Sequence, residues 1–108
     1  MEAPRTLELN ADVGELAGEE GRAKDRAILS VVQAANVACG AHAGDDETIA
    51  ATLRACAELG VVAAAHPGYP DREGFGRRRA GLGPDAIRAT VAEQVARVVA
   101  IGAALGVR

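Results

Sequence analysis

Three short apolar runs recur along this sequence, and a polar segment containing glycine follows each of them. The runs are residues 5–9 (RTLEL), 34–39 (AANVAC) and 61–65 (VVAAA). The third run has no polar residue, which is typical of a strand covered on both faces of a parallel sheet. We therefore predict three strands, with the first ending near Leu9, and a polar loop at the carboxyl end of each.

Helical patterns lie between and after these runs. Apolar residues at three- and four-residue spacing predict a first helix over residues 26–33. A second helix is expected to begin after the capping residue Asp45 and to end at Gly60, and a third to run from Pro84 to Gly106. The expected apolar stripes are Ile49, Leu53, Cys56 and Ala57 in the second helix, and Ile87, Val91, Val95, Val98, Gly102 and Leu105 in the third.

The order strand, helix, strand, helix, strand, helix predicts an α/β fold with a parallel sheet and right-handed crossovers. A closed barrel of this kind takes roughly 250 residues, and the chain has 108. Three parallel strands alone would leave both sheet edges unpaired. We therefore expect residues 1–108 to form a single incomplete (β/α) barrel domain of about three β/α units.

Composition excludes several classes of function. The formal net charge is −3 with both signs mixed, so no broad basic surface is available for nucleic acid or an anionic membrane. No apolar run approaches the roughly 20 residues that span a bilayer. Cys39 and Cys56 have neither CxxC nor zinc-site spacing, and no secretory leader precedes them, so we expect reduced thiols in a cytoplasmic protein.

The first two loops each offer groups that can do chemistry. Asp12 lies close to Asn10 and Glu15, and a carboxylate at a strand end can act as a general base or hold a cation. Asp and Asn are also common turn residues that bond their own backbone. In the second loop His42 stands between glycines, where it can exchange a proton near neutral pH or serve as a hydrogen-bonded structural group.

The third loop, residues 65–79 (AHPGYPDREGFGRRR), is the most polar segment of the chain. Its prolines stiffen a segment that carries His66 and Tyr69. The arginines at 77–79 can bind a carboxylate or phosphate, although a solvated surface is the commoner role of such a run. Both histidines and the single tyrosine fall in loops at one end of the predicted sheet, which favours an active site containing Asp12, His42 and His66.

Common nucleotide and nucleophile motifs are missing. The sequence has no GxxxxGK[ST], no complete GxGxxG before a helix and no GxSxG. Neither cysteine has a clear histidine partner. These observations disfavour a P-loop, a dinucleotide fold and serine or cysteine catalysis.

The three loops together closely resemble the LamB/YcsF family of 5-oxoprolinase A subunits. The segments that carry the resemblance are LNADVGE at 9–15, ANVACGAHAGD at 35–45 and AHPGYPDREGFGRR at 65–78. The resemblance implies the amino-terminal half of a barrel of the glycoside hydrolase/deacetylase type. It also implies ATP-dependent opening of 5-oxoproline (pyroglutamate) to glutamate, with 5-oxoprolinase subunits B and C as partners and ATP as cofactor.

With that resemblance in view, Asp12, His42 and His66 are the expected catalytic residues. The expected substrate-binding residues are Asn10, Asn36, Tyr69, Asp71, Arg77 and Arg78. Two alternatives remain open. Asp12, His42 and His66 could instead hold a divalent metal ion in a deacetylase-like amidohydrolase, or the chain could be a non-catalytic module whose sheet edge docks on a partner.

Overall fold

Strands and helices alternate along the chain, as the sequence predicts. The computed structural model describes residues 6–78 and 81–106. The strands are β1 (Asn10–Val13), β2 (Ala34–Ala38) and β3 (Val62–His66), and the helices are α1 (Gly18–Leu29), α2 (Asp46–Leu59) and α3 (Pro84–Ala104). The expected α/β class, with three β/α units, is confirmed.

The strands form one parallel sheet in the order β1-β2-β3. Asp12 is paired with Asn36, Asn36 with Ala64, and Ala38 with His66. Because all strands run in the same direction, the segments that follow them leave from the same end of the sheet, the one at which the strands finish. This register brings the three polar segments into one neighbourhood.

The first strand lies later than predicted. It covers residues 10–13, whereas the apolar run at residues 5–9 was expected to supply it. Leu7 and Leu9 are 89% and 53% exposed, and Val13 is 1% exposed. The sequence interpretation was wrong because NADV alternates correctly for a strand: Val13 enters the core, and Asn10 and Asp12 lie on the opposite face. Arg5 lies outside the described residues.

The first helix also differs from the prediction. It was expected over residues 26–33, but it begins at Gly18 and ends at Leu29. The charged segment forms its first turns, where Glu19 and Glu20 suit the positive end of the helix dipole. Val31, expected on the helix face, is 62% exposed in the connection to β2.

The second and third helices begin where the sequence predicts. Asp45 caps α2 by accepting a hydrogen bond from the Thr48 amide at 2.7 Å, and Gly60 ends it in the left-handed conformation (φ 69°). In α3 the predicted stripe is only partly buried. Val98 and Gly102 are buried, but Val91 and Val95 are exposed and the polar Gln94 takes the buried position. Ala57 of the α2 stripe is also exposed.

The core lies between the sheet and the helices. Its members include Val13, Leu29, Val37, Cys39, Ile49, Leu53, Cys56 and Val98. Both cysteines are free and buried, and burial raises the pKa of each thiol. Among the helices of the described residues, none combines the length and the apolar character that crossing a membrane requires.

Candidate active site

A cleft of about 340 Å³ opens at the edge of the sheet from which the polar segments leave. It is lined by Asp12, Glu15, His42, His66, Pro67, Gly68, Phe75, Gly76 and Arg77. The structure therefore brings the three residues expected to be catalytic together around one space. Their catalytic role stays a prediction.

Asp12 and His66 project from the strands themselves. Asp12 is in β1 and His66 is the last residue of β3. The His66 Nδ1 lies 3.8 Å from the Asp12 Oδ1, which is too long for a hydrogen bond. The Asn36 side-chain amide donates to Asp12 Oδ1 and to Asn10 Oδ1, each at 3.1 Å. Asn36 thus holds the Asp12 carboxylate in place, Asn10 binds Asn36, and neither asparagine lines the cleft.

His42 forms the buried wall of the cleft. The residue is 4% exposed, and its Nε2 lies 3.4 Å from Glu15 Oε2. Its ring centroid is 4.9 Å from that of His66, and the ring meets Phe75 edge-to-face with centroids 5.7 Å apart. Within the described part of the chain, the Nδ1 atoms of His42 and His66 are buried without hydrogen-bond partners. Each of these two imidazoles therefore keeps one buried nitrogen that no described protein group satisfies.

The backbone of the third loop packs directly against the His42 ring. A Cβ at Gly68 would lie 2.4 Å from His42 Nδ1, and one at Gly76 would lie 2.7 Å from His42 Cβ. Any side chain at either position would therefore push the imidazole out of its place.

Arg77 and Phe75 form the outer side of the cleft. Phe75 adopts φ 58°, a left-handed conformation that is uncommon for a bulky residue. The Arg77 guanidinium carbon lies 5.6 Å from the centroid of the Phe75 ring, in a cation–π arrangement. Arg77 is exposed, so its charge can reach an anionic group in the cleft.

Asp71 and Arg78 bind one another and do not line the cleft. The Asp71 carboxylate accepts hydrogen bonds from the Arg78 Nε at 2.9 Å, from Arg78 Nη2 and from the Gly74 amide at 2.9 Å. The Arg78 hydrogen bonds hold the pKa of Asp71 far below its usual range. Tyr69 lines a neighbouring cleft with Ile87. Arg79 lies outside the described residues.

The third loop is also tied to the second. Arg72 Nη1 donates to the carbonyl oxygens of Gly40, at 2.6 Å, and Gly44, at 2.9 Å. Gly44 has φ 84°, and a Cβ there would meet the Gly14 carbonyl oxygen at 2.8 Å. The three loops therefore pack closely enough to form one rim.

Glu15, His42 and His66 can be tested as a metal-binding set. Each offers a ligand atom, and these atoms lie within 4.8 Å of one another. Ligands about 2.0–2.2 Å from a tetrahedral ion stand roughly 3.3–3.6 Å apart, and the His42–Glu15 separation of 3.4 Å matches this. Two imidazoles and a carboxylate also suit a zinc-like ion. The three residues therefore fit such an ion if the third ligand atom moves closer to the other two.

Sequence reasoning assigned no role to Glu15 or Phe75, whose side chains line the cleft. Glu15 was noted as a polar group of the first loop, and as a second carboxylate in one short loop it could have been included. Phe75 gave no signal, because its place depends on a left-handed backbone that spacing does not reveal.

Comparison with known proteins agrees with the geometry of the fold and the loops. Residues 7–108 match the model of the LamB/YcsF family. The chain belongs to the LamB/YcsF family. In this family, the chain is 45% identical over 104 residues to the 5-oxoprolinase A subunit of Methylococcus capsulatus, covering 96% of this chain and 40% of that protein.

Two further comparisons give the same result. The chain is 46% identical over 102 residues to the 5-oxoprolinase A subunit of Chloroflexus aggregans, covering 94% of this chain and 40% of that protein. The crystal structure of a lactam utilization protein from Thermus thermophilus superposes with a TM-score of 0.84 at 38% identity, covering 96% of this chain and 42% of that one. This LamB/YcsF chain thus spans about 40% of the length of these relatives.

Proposed function

We propose that this chain acts within the A subunit of an ATP-dependent 5-oxoprolinase, which opens the lactam of 5-oxoproline to L-glutamate. The observation that carries the proposal is the meeting of Asp12, His42, His66 and Arg77 around one cleft. Its relatives, which are named as A subunits of 5-oxoprolinase, support the choice of substrate. Subunits B and C as partners, a cytoplasmic location and a role as the amino-terminal part of a larger (β/α) barrel belong to the same proposal.

The reaction needs both activation and proton transfer. A lactam is a stable amide, so ATP first phosphorylates the lactam oxygen, releasing ADP. Water then attacks the activated carbon and the ring C–N bond breaks, which leaves an acyl phosphate. A second water hydrolyses this acyl phosphate, so that phosphate is released and the acid group of glutamate forms. The water must lose a proton and the ring nitrogen must gain one, which are tasks for general bases and acids.

The cleft residues suit these tasks. Asp12, held by Asn36, orients the water and accepts its proton. His66, 3.8 Å from Asp12, and His42, behind it, transfer a proton to the ring nitrogen and stabilise charge that develops on the amide. Arg77 binds the carboxylate of 5-oxoproline or a phosphate group, whereas Arg78 holds the loop through Asp71.

We expect Asp12→Asn and His66→Ala to lower glutamate release by about 100-fold or more, because each removes a proton-transfer group. The measurement is ATP-coupled release of glutamate by the assembled enzyme, in which the A subunit carries this sequence. Arg88→Gln is the control, since Arg88 is exposed on α3 and its one ion pair with the described residues is to Asp85. Near-normal turnover of either cleft variant would remove that residue from the mechanism.

A divalent metal ion is the second candidate, favoured by the Glu15, His42 and His66 set. A bound ion would supply a Lewis acid and an activated water for hydrolysis of an amide. In that case a chelator would abolish activity, added zinc or manganese would restore it, and ATP would not be required. Turnover that needs ATP, and that persists when bound metal is stripped from the enzyme and magnesium alone is resupplied for ATP, would instead favour the first proposal.

A further inference from the structure

Gln94 is the polar residue that α3 buries against the third loop. It is 5% exposed, on a helix face that otherwise buries Val98 and Gly102. A buried amide is unfavourable unless its hydrogen-bonding groups are satisfied. Its partners therefore show what this side chain does.

The Gln94 side chain bonds both backbone groups of Gly68. Its Oε1 accepts from the Gly68 amide at 2.9 Å, and its Nε2 donates to the Gly68 carbonyl at 2.8 Å. The second Nε2 hydrogen goes to Thr90 Oγ1 at 3.0 Å. A reversed amide would set donor against donor and acceptor against acceptor, so one orientation is fixed.

Gly68 in turn packs directly against the His42 ring. The space that a Cβ would need at Gly68 is occupied by the imidazole, with Nδ1 at 2.4 Å. Gly68 also follows His66 by only two residues, across Pro67. Fixing the Gly68 peptide groups therefore sets the position of the backbone that covers one histidine and carries the other.

We propose that Gln94 is a positioning residue for the candidate active site. It holds the Gly68 backbone against His42 and so sets the relative placement of His42 and His66. Its hydrogen bonds among the described residues go to Gly68 and Thr90 and to neither histidine, so it acts through the loop. Its effect on turnover rests on the proposed function, whereas its effect on the loop does not.

The test compares Gln94→Met with Gln94→Glu and with Val98→Ala. Methionine keeps the length of the side chain and loses both hydrogen bonds to Gly68 and the one to Thr90. Glutamate keeps an acceptor but cannot donate to the Gly68 carbonyl. Val98→Ala weakens the core from the next turn of the same helix face and removes no hydrogen bond to Gly68, so it controls for lost stability.

The structural readout is nuclear magnetic resonance of the 108-residue chain. We expect faster exchange of the Gly68 amide in both Gln94 variants. The Gly68 Hα resonances, which the His42 ring shifts, should move toward unstructured values, and Val98→Ala should leave them in place. Unchanged Gly68 resonances and exchange in Gln94→Met would overturn the proposal.

The kinetic readout uses the assembled enzyme and the same variants. Displacing catalytic groups lowers kcat and leaves KM nearly unchanged. We therefore expect kcat of Gln94→Met to fall roughly 10- to 100-fold. A kcat loss no larger than that of Val98→Ala would also count against the proposal. If the assembled parent enzyme releases no glutamate from 5-oxoproline, the proposed function fails, and the Gly68 resonances still decide the role of Gln94.

Discussion

At the scale of single residues, the third loop owes its shape to one ion pair. Asp71 receives four hydrogen bonds from Arg78 and Gly74, although both charged residues were expected to bind substrate. The pair holds together residues 67–78, which form neither helix nor strand. Spacing could not reveal this, because the two residues are seven positions apart in an irregular segment.

This pair predicts a pH dependence of stability. The pKa of Asp71 is lowered in the folded chain, so its contribution is present above the ordinary Asp pKa of about 4 and is lost as the pH falls below it. We expect Asp71→Asn to lower Tm at pH 7, with the difference from the parent chain shrinking below about pH 5. Thermal unfolding across this pH range measures it.

Asp85→Asn is the matched control for that measurement. Asp85 is exposed and, within residues 6–78 and 81–106, pairs with Arg88 alone, so its loss should change Tm little at any pH. A Tm difference for Asp71→Asn that stays constant from pH 7 to pH 3 would contradict the assignment.

At the scale of elements, local chemistry decided what the sequence could predict. The start of α2 was readable because Asp45 is a good capping residue and its side chain does cap Thr48. The limits of β1 could not be predicted from the sequence. RTLEL and NADV are both plausible strands, and only the pairing with β2 selects NADV. The burial of Gln94 in α3 was also unreadable, since its partner Gly68 is 26 residues away.

The capping role of Asp45 gives a prediction for α2. Asp45→Ala should lower the free energy of unfolding by about 1 kcal/mol, because the Thr48 amide loses its acceptor. Asn caps a helix about as well as Asp, so Asp45→Asn should retain most of this stability. Urea unfolding of the three chains measures the difference. Equal losses in both variants would show that the charge matters and the cap does not.

At the scale of the whole molecule, the parallel arrangement was predictable and so was the convergence of the loops. Apolar runs alternating with helical patterns require crossovers, and crossovers place the carboxyl ends of the strands at one edge. The participation of Phe75 in the cleft depended on the path of the third loop in space, which no pattern of residue types encodes.

The described surface also leaves apolar side chains uncovered. Val91, Val95 and Val99 repeat every four residues on α3 and are 37%, 38% and 63% exposed. Val95 and Val99 also border an apolar cleft with Ala63 and Ala65 of β3. Exposed apolar surface of this kind promotes association.

We therefore expect the 108-residue chain to self-associate as its concentration rises, and Val99→Lys to shift it toward the monomer. Sedimentation velocity at several concentrations measures the change. Ala100→Lys, an exposed substitution on the next residue of α3, is the control and should have the smaller effect. A parent chain that sediments as a monomer at every concentration would contradict the expectation.

Arg72 of the third loop donates hydrogen bonds to Gly40 and Gly44 of the second loop, and these bonds restrict how the rim of the candidate active site can change. An insertion in either loop would carry the guanidinium away from at least one of the carbonyls. A new substrate preference would therefore arise more readily by exchanging side chains along the rim than by lengthening it.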